Sequence, residues 1–148
     1  MLACYNKAVA NTPENVHPVI DQVYRSFEES DHDYQLGRTI KNPDGVSALH
    51  PMGQIISDAP GGYSWHNYGL ALDFHLVIDG KDVWDEKNPY WINVVNIFKA
   101  AGFNWGGEFA GSFKDYPHLE CKMGQSLHGL LHLHSENKLI PGTPYVNF

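Results

Sequence analysis

From Leu70 to Ile78 the chain alternates without a break, with Leu70, Leu72, Phe74, Leu76 and Ile78 on one face and Ala71, Asp73, His75 and Val77 on the other. Strict alternation of this length marks a half-buried β-strand. Asp79-Gly80 follows at once and is the dipeptide of a type I′ hairpin turn, so the chain returns through Val83 and Trp84. Asp73 therefore points away from the apolar face of its strand.

Upstream, His17–Tyr24 (H-P-V-I-D-Q-V-Y) is enriched in β-branched residues and reads as a short strand. Ser26 and Glu29 form a capping box, which predicts a helix over about Phe27–Leu36, stopped by Gly37. The first 15 or so residues show no clear period and are expected to be an irregular lead-in. Lys41–Gly62 holds the turns N-P-D-G, H-P-M-G and A-P-G-G and reads as one long loop. Loops of that length in compact domains are usually functional or mobile, and this one is expected to form one wall of a site with the segment that begins at Ser64.

Downstream, Asn88 at N-cap and Pro89 at N1 open a helix. Its apolar residues Tyr90, Trp91, Val94, Val95, Phe98 and Ala101 keep the 3.6-residue period until Gly102. Trp105-Gly106-Gly107 reads as a turn, Leu119–Cys121 as a strand and Ser126–Asn137 as a last helix.

With 148 residues and 43% apolar content, residues 1–148 are expected to form one domain that needs no metal or disulfide for its core. A formal charge of −7 without a basic run argues against nucleic acid, whose phosphates need clustered Lys and Arg. Cys4 and Cys121 are read as free thiols. No apolar run approaches a membrane span, and M-L-A-C lacks the basic and apolar regions of a signal peptide. The expectation is a monomer, cytoplasmic in the producing cell.

Two stretches carry chemistry: S-W-H-N-Y-G-L-A-L-D (Ser64–Asp73) and D-Y-P-H-L-E (Asp115–Glu120). His66, Asp73 and His118 supply two imidazoles and a carboxylate, which leaves a fourth position for water. That is the composition of a catalytic zinc site, whereas structural sites are closed and usually rich in cysteine. Gly69 lets the chain fold His66 and Asp73 back onto one ion, and the net charge near +1 keeps the ion a strong Lewis acid. A general base is also needed; Asp115, three residues before His118, and Glu120, two after it, are both placed for the role. The remaining polar residues read more plainly. His75 is expected to be partly buried without a role, His128 and His132 to lie on a surface helix, and Cys121 to act as a small buried hydrophobe. Trp65, Tyr68 and Trp105 flank the motifs and suit either core or substrate contact.

The pattern S-x-H-x-x-G-x-A-x-D (Ser64, His66, Gly69, Ala71, Asp73), then W-G-G (Trp105–Gly107) and D-x-P-H (Asp115–His118), resembles the zinc-dependent cell-wall peptidases. These include D-Ala-D-Ala carboxypeptidases and dipeptidases and phage endolysin L-alanyl-D-glutamate endopeptidases. Y-R-S-F-E-E (Tyr24–Glu29) with L-G-R-T (Leu36–Thr39) looks like the L-alanyl-D-glutamate branch, and the resemblance spans about residues 20 to 140. It implies a small α+β domain whose central antiparallel sheet, flanked by helices, carries the zinc, with residues 1–148 expected to be a single metallopeptidase catalytic domain without a separate wall-binding domain. It further implies His66, Asp73 and His118 as zinc ligands, Asp115 as the base in preference to Glu120, Arg25 beside the developing oxyanion, and Ser64 on the substrate side. The implied activity is hydrolysis of peptidoglycan stem peptides, with the L-Ala–D-Glu bond favoured. A D-Ala-D-Ala carboxypeptidase or dipeptidase, or a silent module that binds wall peptides, remain the alternatives. Relatives usually have a helix before the first strand; the short lead-in here is expected to lack it, loosening one side of the fold.

Overall fold

In the computed structural model, which describes residues 1–111 and 113–148, the alternating segment is the strand that three others pair with. In chain order the elements are α1 (Leu2–Val9), β1 (Val16–Gln22), α2 (Phe27–Gln35), β2 (Ala71–Ile78), β3 (Lys81–Val83), α3 (Pro89–Ala100), β4 (Asn104–Trp105), β5 (His118–Glu120) and α4 (Leu127–Ser135). Short 3-10 turns occupy Trp65–Tyr68 and Gly106–Glu108. Two compact units result: Met1–Tyr24 with Gly69–Gly124, and Arg25–Tyr68 with Gln125–Phe148. The architecture is α+β with an antiparallel sheet, as the sequence leads one to expect.

The first unit holds the sheet, in the order β1-β2-β5-β4 with β3 also beside β2. Asp79 and Gly80 both take positive φ (49° and 76°), which is the type I′ geometry their sequence calls for. Leu72, Phe74, Leu76 and Leu119 are fully buried under Trp91, Val94, Val95 and Phe98 of α3. Phe74 stacks between Trp91 and Phe98, at centroid distances of 4.9 and 6.0 Å. Truncating a ring so enclosed costs about 3–5 kcal/mol. Asn88 caps α3 by accepting from Tyr90 N, though Tyr90 itself is exposed and not part of the core.

The lead-in is not irregular. Leu2–Val9 is a helix that buries Ala8 and packs Met1, Cys4, Tyr5 and Val9 against the core, with Tyr5 5.9 Å from Phe98. These positions do follow a helical period, but through small or weakly apolar side chains, and no side chain caps the N-terminus. The helix expected to be missing before the first strand is therefore present. β4 was too short to read, and the strand expected from Leu119 begins one residue earlier, at His118.

The second unit is built on α2, α4 and the long loop. The capping box forms as expected: Ser26 Oγ accepts from Glu29 N (3.1 Å), and Glu29 Oε2 accepts from Ser26 N (2.8 Å). Gly37 follows α2 at φ 77°, and a Cβ there would run into the Gln54 carbonyl, so the returning loop also requires glycine at this position. Residues 41–62 contain no helix or strand, as the turn signals predict. Leu130 of α4 is fully buried, and His134 stacks on Phe27 at 4.3 Å.

Candidate metal centre

Asp73 and His118 are register partners across β2 and β5, one step from the buried pair Leu72 and Leu119. Side chains of directly opposed residues share a face. With the leucines committed to the core, Asp73 and His118 emerge together on the other side, and Asp73 Oδ1 lies 3.1 Å from His118 Nδ1. Glu120 lies two residues further along β5 and sends Oε1 to 3.3 Å from His118 Nε2. The imidazole is thus held at both nitrogens by carboxylates. Burial opposes its charge, but the hydrogen bonds to Asp73 and Glu120 and the charges of Asp73 and Asp115 outweigh that, and its pKa is pushed up to about 9.

Glu120 is buried and committed. Burial works to raise its pKa, yet the bonds to His118 and Lys122 hold it below the usual carboxylate range. Lys122 Nζ stands 3.1 Å from Oε2, a close ion pair.

Asp115 is positioned by the W-G-G turn. Its backbone N donates to the Gly106 carbonyl (3.2 Å), and its own carbonyl accepts from His118 N (3.3 Å). Gly106 is packed so closely that a Cβ would overlap the Asp115 carbonyl oxygen and come within 3.0 Å of His118 Cβ. This is the physical reason for a glycine at that place in the motif.

His66 sits in the 3-10 turn. Its N donates to Ser64 Oγ (3.3 Å) and its carbonyl accepts from Arg25 N (3.2 Å). The neighbouring Asn67, 1% exposed, ties the turn to α2. Asn67 Nδ2 donates to the carbonyls of Arg25 (2.9 Å) and Ser26 (3.2 Å) and to Ser30 Oγ (2.8 Å), while Oδ1 accepts from the N of Gly62 (2.9 Å) and Ser64 (3.2 Å). One ligand atom from each of His66, Asp73 and His118 lies within 4.8 Å of the others. Two imidazoles and one carboxylate are the donor set of an open catalytic zinc site, so the chemistry of these three side chains fits a single ion.

The Arg25 guanidinium pairs with Asp33 at 3.6 Å, and the Ser64 hydroxyl serves as acceptor in its own turn. Trp65 and Tyr68 are buried, and Trp105 Nε1 donates to the Tyr116 carbonyl (2.7 Å). His132 is exposed on α4, 3.7 Å from Glu136, which agrees with a surface helix. Cys121 is buried. His75, expected to be partly buried without a role, is buried and has definite partners in Asp21 and Trp84. Asn67 was missed from the sequence; its place next to His66 inside the Ser64–Asp73 motif is the signal that could have found it.

Comparison with known proteins meets the motif resemblance. Residues 57–121, which contain His66, Asp73, Asp115 and His118, match the peptidase M15 family model described as D-alanyl-D-alanine carboxypeptidase. The segment therefore carries an M15 peptidase pattern. Over 121 residues the chain is 43% identical to the peptidoglycan L-alanyl-D-glutamate endopeptidase CwlK of Bacillus subtilis (strain 168). That alignment covers 76% of this chain and 64% of CwlK, so the chain spans just under two thirds of that relative. Its fold is like that of the L-Ala D-Glu endopeptidase ChiX of Serratia marcescens, with a TM-score of 0.53 at 19% identity over 81% of this chain and 76% of that one. No helix among the described residues is long and apolar enough to cross a membrane.

Proposed function

We propose that this chain is a zinc peptidase that hydrolyses the L-Ala–D-Glu bond of peptidoglycan stem peptides. The observation that carries the reading is the gathering of His66, Asp73 and His118, two imidazoles and one carboxylate, within 4.8 Å. The 43% identity to CwlK supports the choice of bond.

These three side chains would hold the metal. When bound, zinc supplies Lewis acidity at the scissile carbonyl and brings a water pKa toward about 7. With a metal bound and Glu120 accepting from His118 Nε2–H, the Nδ1 lone pair would face the side where Asp73 lies; a carboxylate behind a ligand histidine fixes its tautomer and raises its basicity. That occupation suits Glu120 to orienting His118, and the role of base falls to Asp115. The Asp115 carboxylate takes the proton of the attacking water and returns it to the leaving amine. Arg25 provides a fixed cation for the negative charge that develops on the carbonyl oxygen, and Ser64 lies on the substrate side.

The family description, D-alanyl-D-alanine carboxypeptidase, favours a second reading in which the same groups release terminal D-Ala. Fold does not set bond choice; the shape of the substrate pocket does. Asp115→Asn tests the assignment of the base: the account expects zinc binding retained and hydrolysis of wall peptides lost. Full activity in this variant, or in His66→Ala, overturns it.

A further inference from the structure

The polar face of β2 carries a second cluster, two residues beyond Asp73. His75 Nδ1 donates to both oxygens of Asp21, at 2.9 and 3.0 Å. Asp21 reaches it because β1 bulges there: Ile20 pairs with Phe74 and Gln22 with Asp73, leaving Asp21 as the extra residue. Bulges often re-aim a side chain in this way. On the other flank, His75 Nε2 lies 3.6 Å from Asp82 Oδ1 of β3.

Trp84 lies flat on this clamped imidazole, with ring centroids 4.7 Å apart and planes 20° from parallel. Yet Trp84 remains 57% exposed and Asp82 71% exposed on its side chain. An indole fixed on one face and open on the other, beside an exposed carboxylate, is a combination that suits a sugar ring. The C–H face of a pyranose packs on the aromatic surface, and the carboxylate accepts from hydroxyl or amide N–H groups. An apolar peptide side chain has no use for the carboxylate.

We propose that Trp84, backed by His75 and flanked by Asp82, binds the amino sugar that carries the stem peptide. The inference rests on the function proposed above. In peptidoglycan the L-Ala amine is acylated by the lactyl ether of N-acetylmuramic acid, so the sugar lies one residue and one lactyl group from the scissile bond. One extended residue spans about 3.5 Å and the lactyl group a similar length. Two strand residues also span about 7 Å, which is the step along β2 from Asp73 to His75. The sugar platform stands one such step from the Asp73 ligand, on the same face of the strand.

Two substrates separate sugar recognition from peptide recognition: an N-acetylmuramoyl tetrapeptide, and the same peptide capped by lactate alone. The zinc-loaded protein should favour the muramoyl substrate in kcat/KM by about tenfold, the scale of one good aromatic contact. In Trp84→Ala that ratio should fall toward one through KM, and Trp84→Phe should recover part of it. An unchanged ratio in Trp84→Ala overturns the proposal, as does a wild-type ratio of one. Binding is read independently of turnover by titrating methyl N-acetylmuramoside and following the Trp84 indole N–H resonance. A saturating shift supports the platform, and no shift overturns it. Should neither substrate be cut, the endopeptidase reading fails, and this titration alone decides the platform.

Discussion

Asp73 and His118 face each other across the β2–β5 ladder with Oδ1 and Nδ1 3.1 Å apart. The relationship follows from the alternation that buries Leu72 and Leu119 beside them. The core thereby fixes which way two of the three metal-type side chains point. A one-residue slip in this register would send both into the core and bring leucines to the metal face.

Glu120 is the next group to test, because its bond to His118 Nε2 (3.3 Å) is the one that orients the ring. Glu120→Ala should weaken zinc binding by about 10–100-fold, the usual effect of losing a carboxylate behind a ligand histidine. Competition with a chromogenic chelator measures this. Unchanged affinity would return Glu120 to consideration as the base.

Gly106→Ala introduces a Cβ against the Asp115 carbonyl and His118 Cβ. The turn must shift to relieve the overlap, and a displacement of about 1 Å at a catalytic group can cost on the order of 100-fold in rate. The expected outcome is a far-UV circular dichroism spectrum like that of the wild type with kcat strongly reduced. Wild-type kcat would show that the turn does not set the position of Asp115.

Asn67→Ala removes a buried side chain with five hydrogen bonds around the His66 turn. Leaving several of those partners unpaired should destabilise the protein by about 3 kcal/mol. Urea unfolding of the chelated protein reads the loss without any contribution from metal binding. A midpoint within error of wild type would contradict the assigned network.

The capping box of α2 makes stability depend on acid. The backbone and hydroxyl of Ser26 hold the Glu29 carboxyl below its ordinary value of 4.5. A carboxyl depressed in the folded state stabilises above its unfolded pKa, and that contribution is lost as pH falls through the lower folded value. The melting-temperature difference between wild type and Glu29→Gln should therefore be constant above about pH 5 and shrink below pH 4.5. Ser26→Ala should cost about 1 kcal/mol at neutral pH. A difference between wild type and Glu29→Gln that does not change with pH would contradict the box.

What could be read from the sequence was what strict local rules govern. β2 and its hairpin follow from alternation and Asp79-Gly80, α3 from Asn88-Pro89 and a clean helical period, and α2 from Ser26 and Glu29. The same rules place Asp73 on a strand, and the motif spacing supplies His66 and His118. Helix α1 was hidden because its core-facing side chains, Cys4, Tyr5 and Ala8 among them, make a weak apolar stripe that becomes decisive only against partners such as Phe98. The roles of Asn67 and Glu120 were hidden for a related reason. Asn67 reaches Ser30, distant in sequence, and Glu120 matters only once β5 is paired with β2. Asp21 meets His75 only through a bulge that no local residue preference announces.

The ends of digested peptidoglycan identify the bond that is cut. Purified peptidoglycan would be digested by the zinc-loaded protein beside a chelated control, and the new ends identified by mass spectrometry. The account predicts fragments that begin with D-Glu, absent with chelator. Release of free D-Ala, or no cleavage in either tube, would contradict it.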